Sequence, residues 1–128
     1  MKEYDILIMK EGETLTRADL IAQCLSYPGV YEDYPFDDIA DAQAWTVMRH
    51  VNNEKSFAFI FERDGLCINL KCDPIRSDHL RQLFDGITPA YHMNKVHWIT
   101  VRPDSDVPQE LLEELITDSF HLTEKGKK

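Results

Sequence analysis

The chain lacks any apolar run long enough to suggest a membrane span. The best candidate, Ile6-Leu7-Ile8-Met9, is four residues long, against the roughly 20 that cross a bilayer. Glu3 and Asp5 precede it, so it does not read as a signal-peptide core either. Cysteine is scarce: Cys24, Cys67 and Cys72 make an odd count with no C-x-x-C spacing. That excludes a disulfide framework and reads as reduced thiols in a reducing compartment. No Gly-rich phosphate loop, Ser-x-x-Lys or Gly-x-Ser-x-Gly occurs, which removes the common nucleotide-loop and serine-nucleophile signatures. These absences together predict a soluble, cytoplasmic protein that is not an enzyme.

What is present suits one α+β domain. The chain has 128 residues, 43% of them hydrophobic and 29% charged, enough to build a core without disulfide or metal staples. Net charge is −9, unevenly spread: residues 1–68 carry 6 basic and 13 acidic groups, residues 69–102 carry 5 and 3, and residues 103–128 carry 3 and 7. Only the middle third would not repel an anionic partner. Residues 1–13 read as an N-terminal appendage, with Tyr4–Met9 a short strand or an extra helical turn. Residues 14–123 read as the domain and residues 124–128 as a frayed tail.

Thr16 with Asp19 forms an acidic capping box, and Leu20, Ile21, Cys24 and Leu25 recur at helical spacing until Pro28-Gly29. Val30–Ala42, rich in acids and aromatics, reads as an ordered loop. Strands follow at Trp45–His50, around Phe57, Phe59 and Phe61 on one shared face, and after Asp64-Gly65. A two-residue turn there pairs Phe61 with Ile68 and Phe59 with Leu70. Asn69 and Lys71 then point away from the aromatic core, with Cys67 beside them. Asp73-Pro74 opens a second helix whose buried stripe is Leu80, Leu83 and Phe84. Residues 90–101 read as a strand pair, and Leu111, Leu112, Leu115, Ile116 and Phe120 give the last helix its apolar face. The expected fold is an α+β two-layer sandwich of order α-β-β-β-α-β-β-α, its mainly antiparallel sheet covered by helices on one face.

Two segments are distinctive: Asn69-Leu70-Lys71-Cys72-Asp73-Pro74, and Thr88-Pro89-Ala90-Tyr91-His92-Met93-Asn94-Lys95-Val96-His97-Trp98. With Tyr34-Pro35-Phe36 and the helix opening at Val107-Pro108, they closely resemble the MmcQ/YjbR family of small bacterial proteins, from about Thr16 to about Leu122. The resemblance implies a two-layer α/β fold with helices at the start, middle and end. It also implies DNA binding, a label that rests on fold comparison.

The chemistry-bearing residues sort as follows. A tight turn at Asn94-Lys95 makes His92 and His97 cross-strand neighbours, with Tyr91 opposite Trp98. Two histidines supply half of a zinc site, and no further ligands follow a recognisable spacing. No metal or cofactor is therefore expected. Cys72 at a helix start, paired with His92 or His97, is the one alternative for thiol chemistry; a structural thiol is the favoured reading. The candidate binding set is Asn69, Lys71, His92, Asn94, Lys95, His97 and Arg49, whose cationic, amide and aromatic-like groups suit phosphates and base edges. Arg102 extends it if the strands adjoin, and Trp98 reads as core. The partners expected are DNA or, alternatively, a protein or small ligand, with Tyr31, Tyr34 and Phe36 as anchors and no membrane role.

Overall fold

The computed structural model describes residues 15–36 and 45–125. The appendage expected at residues 1–13, residues 37–42 of the acidic segment and residues 126–128 of the tail lie outside the described residues. The elements run α1 (Arg17–Leu25), β1 (Val30–Asp33), β2 (Thr46–His50), β3 (Ser56–Glu62), β4 (Leu66–Lys71), α2 (Pro74–Leu83), β5 (Ile87–Pro89), β6 (Trp98–Val101) and α3 (Gln109–Thr123). The six strands form one antiparallel sheet in the order β1-β2-β3-β4-β6-β5. Among the described residues no helix is long and apolar enough to cross a membrane.

The local signals for helix starts hold. Thr16 Oγ1 accepts from the Asp19 amide at 3.2 Å, and the Asp19 carboxylate accepts from the Thr16 amide at 2.8 Å. The Asp73 carboxylate takes the amides of Ile75 and Arg76 at 3.1 and 3.2 Å, with Pro74 at the first helical position. Each cap satisfies amides that a helix cannot satisfy internally.

α1 packs on β1, β2 and β3, and α3 on β3 and β4, all on one sheet face. Between the layers lie Leu20, Cys24, Met48, Ala58, Ile60, Ile68, Leu70, Ile99, Leu112 and Ile116, with Leu80 of α2 joining them. Leu83, expected in the buried stripe of α2, is 65% exposed.

The structure corrects the sequence reading in four places. Val30–Asp33 is a strand, not loop: it pairs with β2, and the charge of Asp33 is met by Arg49 Nε at 2.8 Å across the pair. The β3–β4 connection is a three-residue loop, Arg63-Asp64-Gly65, with Asp64 and Gly65 at φ +54° and +115°. Its closing pair is Glu62 with Leu66, so Phe59 faces Asn69 and Phe61 faces Cys67. One residue of slip moves every side chain of β4 to the other face. Asn69, Cys67 and Lys71 therefore share the face of Phe59 and Phe61, and among the described residues that face carries no helix.

Phe57 does not join Phe59 and Phe61. The β2–β3 register shifts between Met48 and Arg49, and Phe57 turns to the helix side against Tyr27 and Phe120. Ser119 of α3 secures this bulge: its hydroxyl donates to Phe57 O at 2.6 Å and accepts from the Lys71 amide at 2.8 Å. Ladder groups freed by an irregularity must find partners when buried.

The fourth correction is the segment between β5 and β6. Asn94-Lys95 is not a tight turn; Pro89 pairs with Ile99, leaving residues 90–97 as a long loop. Asn94 Oδ1 instead receives the amides of Val96 and His97 at 2.9 and 3.1 Å. That is an Asx turn, a local competitor of the hairpin geometry.

The far end of α3 is fastened by a buried polar cluster. His50 Nε2 lies 2.8 Å from Thr123 Oγ1, and Asn53 Nδ2 donates to Thr123 O at 3.0 Å. Burial pushes the His50 pKa below the usual histidine value. The native state thus holds it neutral while the unfolded chain takes up a proton below about pH 6.5. Its contribution is full above about pH 6.5 and is lost as pH falls from there through the depressed native value. Thermal unfolding followed by circular dichroism should show a smaller loss of Tm between pH 7.5 and 5 in His50→Gln than in the parent, those being the pH values that bracket about 6.5. Parallel losses would contradict the assignment.

Candidate functional site

The helix-free face carries a patch of rings that the sheet alternation puts there. Phe59 and Phe61 come from β3, Trp98 from the start of β6, Trp45 from the residue before β2, and Tyr91 from the long loop. Trp45 stacks on Phe61 with centroids 4.1 Å apart and planes 3° off parallel. Tyr91 lies 5.8 Å from Phe61 and 6.4 Å from Trp45. Trp98 meets Phe59 edge-on at 5.6 Å. Phe61 is buried beneath this group, whereas Trp45, Phe59, Tyr91 and Trp98 remain half-buried. Trp98, expected in the core, is thus part of a partly open face.

Tyr91 sits in a loop, yet its backbone is fixed from both sides. The Tyr91 amide donates to Thr100 Oγ1 at 2.9 Å, and the Thr100 hydroxyl donates to Asn69 Oδ1. Asn69 Nδ2 closes the circuit by donating to Tyr91 O at 2.9 Å. Asn69 is fully buried and both ends of its amide are used in this circuit. Its role is therefore to position the loop from inside the fold.

The other candidate residues separate. Lys71 and Arg49 share the helix-free face by strand alternation, although Arg49 is tied to Asp33. Lys95 Nζ donates to Ala90 O at 2.8 Å, bending the lysine back across its own loop. Asn94 is occupied by the Asx turn. His92 and His97 are exposed loop residues that are not strand partners; His92 has φ +63° and its ring lies 4.0 Å from Tyr91. Among the described residues no group of three or more His, Cys, Asp or Glu is placed to hold a metal ion. Cys72 is buried, and burial pushes its thiol up, which keeps it protonated at neutral pH. The recess beside it is lined by Arg76, Asp118 and His121, without His92 or His97.

Arg63 is the residue that sequence reasoning missed. A two-residue turn would have made it an ordinary ladder position; the three-residue loop frees it instead. Its guanidinium lies over the Tyr91 ring, 4.0 Å from the centroid. Arg102 Nη1 donates to Arg63 O at 2.9 Å and Asp64 O at 3.2 Å, which brings the second arginine to the same corner. These two cations, Lys95 and the Tyr91 ring border a cavity of about 330 Å³.

The fold is that of a small α+β domain, with helices on one side of an antiparallel sheet and, among the described residues, an aromatic, cation-edged surface on the other. The YjbR family model matches residues 25–122, and the chain belongs to the YjbR family. It is 35% identical to the uncharacterised protein YyaQ of Bacillus subtilis (strain 168) over 120 residues, covering 85% of this chain and 98% of that one. It is 26% identical to the uncharacterised protein YjbR of Escherichia coli (strain K12), covering 83% and 85%. Among solved structures it resembles Deinococcus radiodurans protein DR2400, with a TM-score of 0.76 and 37% identity over 88% of this chain and 82% of that one. A Pseudomonas syringae protein matches with a TM-score of 0.73 and 32% identity, covering 85% and 99%.

Replacing Asn69 by Ala leaves the Tyr91 carbonyl and the Thr100 hydroxyl without their partner. The expected cost is about 1–3 kcal/mol, the usual penalty for unsatisfied buried groups. Urea unfolding of Asn69→Ala measures it. A loss below about 0.5 kcal/mol, the level of an ordinary surface change, would show that the circuit does not hold the loop.

Proposed function

We propose that the helix-free sheet face binds single-stranded nucleic acid, with bases against the half-buried rings of Trp45, Tyr91 and Trp98 and phosphates toward Lys71, Arg63 and Arg102. The observation that carries this reading is the coincidence of exposed aromatic surface and cations on one face. Stacking platforms flanked by positive charge suit unpaired bases, whose faces a duplex conceals. The reading assigns no catalytic step to the chain.

The net charge of −9 is the main objection, and its distribution answers part of it. Glu110, Glu113, Glu114 and Asp118 all lie on α3, in the opposite layer. A helix is about 10–12 Å across, while charges are screened beyond about 8 Å at physiological salt. The acids of α3 thus weaken the local field of the open face only partly. Stacking of two bases supplies about 2–6 kcal/mol, which alone gives affinities of roughly tens of millimolar to tens of micromolar. Phosphate contacts must supply the remainder, so binding is strongest at low salt.

Fluorescence-anisotropy titrations against labelled single- and double-stranded DNA test this. The single strand should bind more tightly, with affinity falling steeply as salt rises. Lys71→Ala should weaken it and reduce the slope of log K against log salt by about 0.7, the share of one single-strand phosphate. Duplex preference, or no binding at low salt, would reject the reading. In the latter case the same face would be tested as a protein-docking surface.

A further inference from the structure

We infer that the cavity at the Arg63 corner is a subsite for a terminal phosphate monoester of the bound strand. This rests on the reading of the face as a single-stranded nucleic-acid surface and deepens it. The cavity measures about 330 Å³ and is lined by Arg63, Lys95 and Arg102 together with Thr88, Thr100 and the Tyr91 ring. No carboxylate among the described residues lines it. None of its three cations forms an ion pair with a described carboxylate, whereas Arg49, Arg76 and Arg81 all do. Three positive groups gathered without an ion-paired carboxylate among the described residues are matched by a dianion better than by the single charge of an internal phosphodiester.

Size points the same way. Ligand cavities range over about 300–1,000 Å³, and this one stands at the small end, with room for an end group. The corner is also built before any ligand arrives. Arg102 is held by the carbonyls of Arg63 and Asp64, Lys95 by Ala90 O, and Tyr91 by the Asn69–Thr100 circuit. Each of these cations keeps further N–H donors beyond the bonds that position it. The Tyr91 ring, with Arg63 over it, and Phe61 of the Trp45–Phe61 stack both line this cavity, so the stack borders it directly. A strand lying on the rings would deliver its end to the cations.

The test uses the whole chain and short single-stranded DNA of one sequence with a central label, bearing a 5′-phosphate, a 3′-phosphate or hydroxyls at both ends. At low salt and neutral pH, one of the two phosphorylated strands should bind about ten-fold more tightly than the hydroxyl strand, on the scale of one added charge-assisted contact. Which end is preferred reports the polarity of the strand on the sheet. The preference should vanish in Arg63→Gln and in Lys95→Gln. Lys95 is on an exposed loop, so its variant serves if loss of the Arg63–Tyr91 contact disturbs folding. Equal binding of all three strands would overturn the subsite while leaving the aromatic face in place. A preference that survives both substitutions would also overturn it. No binding of any strand would reject the face and the subsite together.

Discussion

Two side chains and one stretch of backbone hold the open face of this protein in shape. Asn69 on β4, Thr100 on β6 and the backbone of Tyr91 form a closed hydrogen-bonded circuit inside the sheet's open face. A loop of eight residues, 90–97, would ordinarily sample many conformations. Here its first aromatic residue is gripped at both N–H and C=O. A buried amide is costly unless fully paired, and Asn69 is fully paired only when Tyr91 is in place. The loop and the strand therefore specify one another. Everything above that point follows: Tyr91 beside Phe61, Arg63 over Tyr91, Arg102 reaching to Arg63 O, and the cavity among them.

The two faces of the sheet are built on different terms. Toward the helices, aliphatic side chains of β3, β4 and β6 are buried in one cluster with residues of α1, α2 and α3. Toward the other side, larger rings pack on each other and leave part of their surface open. Such a patch is unfavourable to expose and serves no packing need that aliphatic residues would not meet. The bulge at Phe57 marks the boundary between the two designs: it returns one phenylalanine to the core, where it meets Tyr27, His50 and Phe120, while the next two remain on the open side.

Much of this was legible in the residues. Caps, helix stripes and the order of most elements are local signals, and Thr16, Asp19, Asp73 and Pro74 act where their chemistry predicts. The family was legible from the Tyr91–Trp98 string and is borne out. The register was not, because Asp64-Gly65 suits both a two-residue turn and the last two positions of a three-residue loop; only pairing across the sheet decides. That slip concealed Arg63 and placed Asn69 on the wrong side of the aromatic row. It nevertheless left Asn69 and Lys71 on the helix-free face, because the Phe59–Phe61 row had been assigned to the helix side. Val30–Asp33 was missed since its acids suggest solvent, and the pairing of Asp33 with Arg49 is a long-range fact. Asn94 was read as a hairpin residue when its side chain makes a turn of its own.

Amide hydrogen exchange followed by NMR tests most directly whether the circuit holds the loop. The Tyr91 amide should exchange far more slowly than those of Val96 and His97, which are held only by the exposed Asn94 side chain. Substituting Thr100 by Val should remove that protection selectively while core amides of β3 and β4 stay protected. A Tyr91 amide that exchanges as fast as its loop neighbours in the parent protein would contradict the account, since the aromatic face would then lack the fixed support attributed to it.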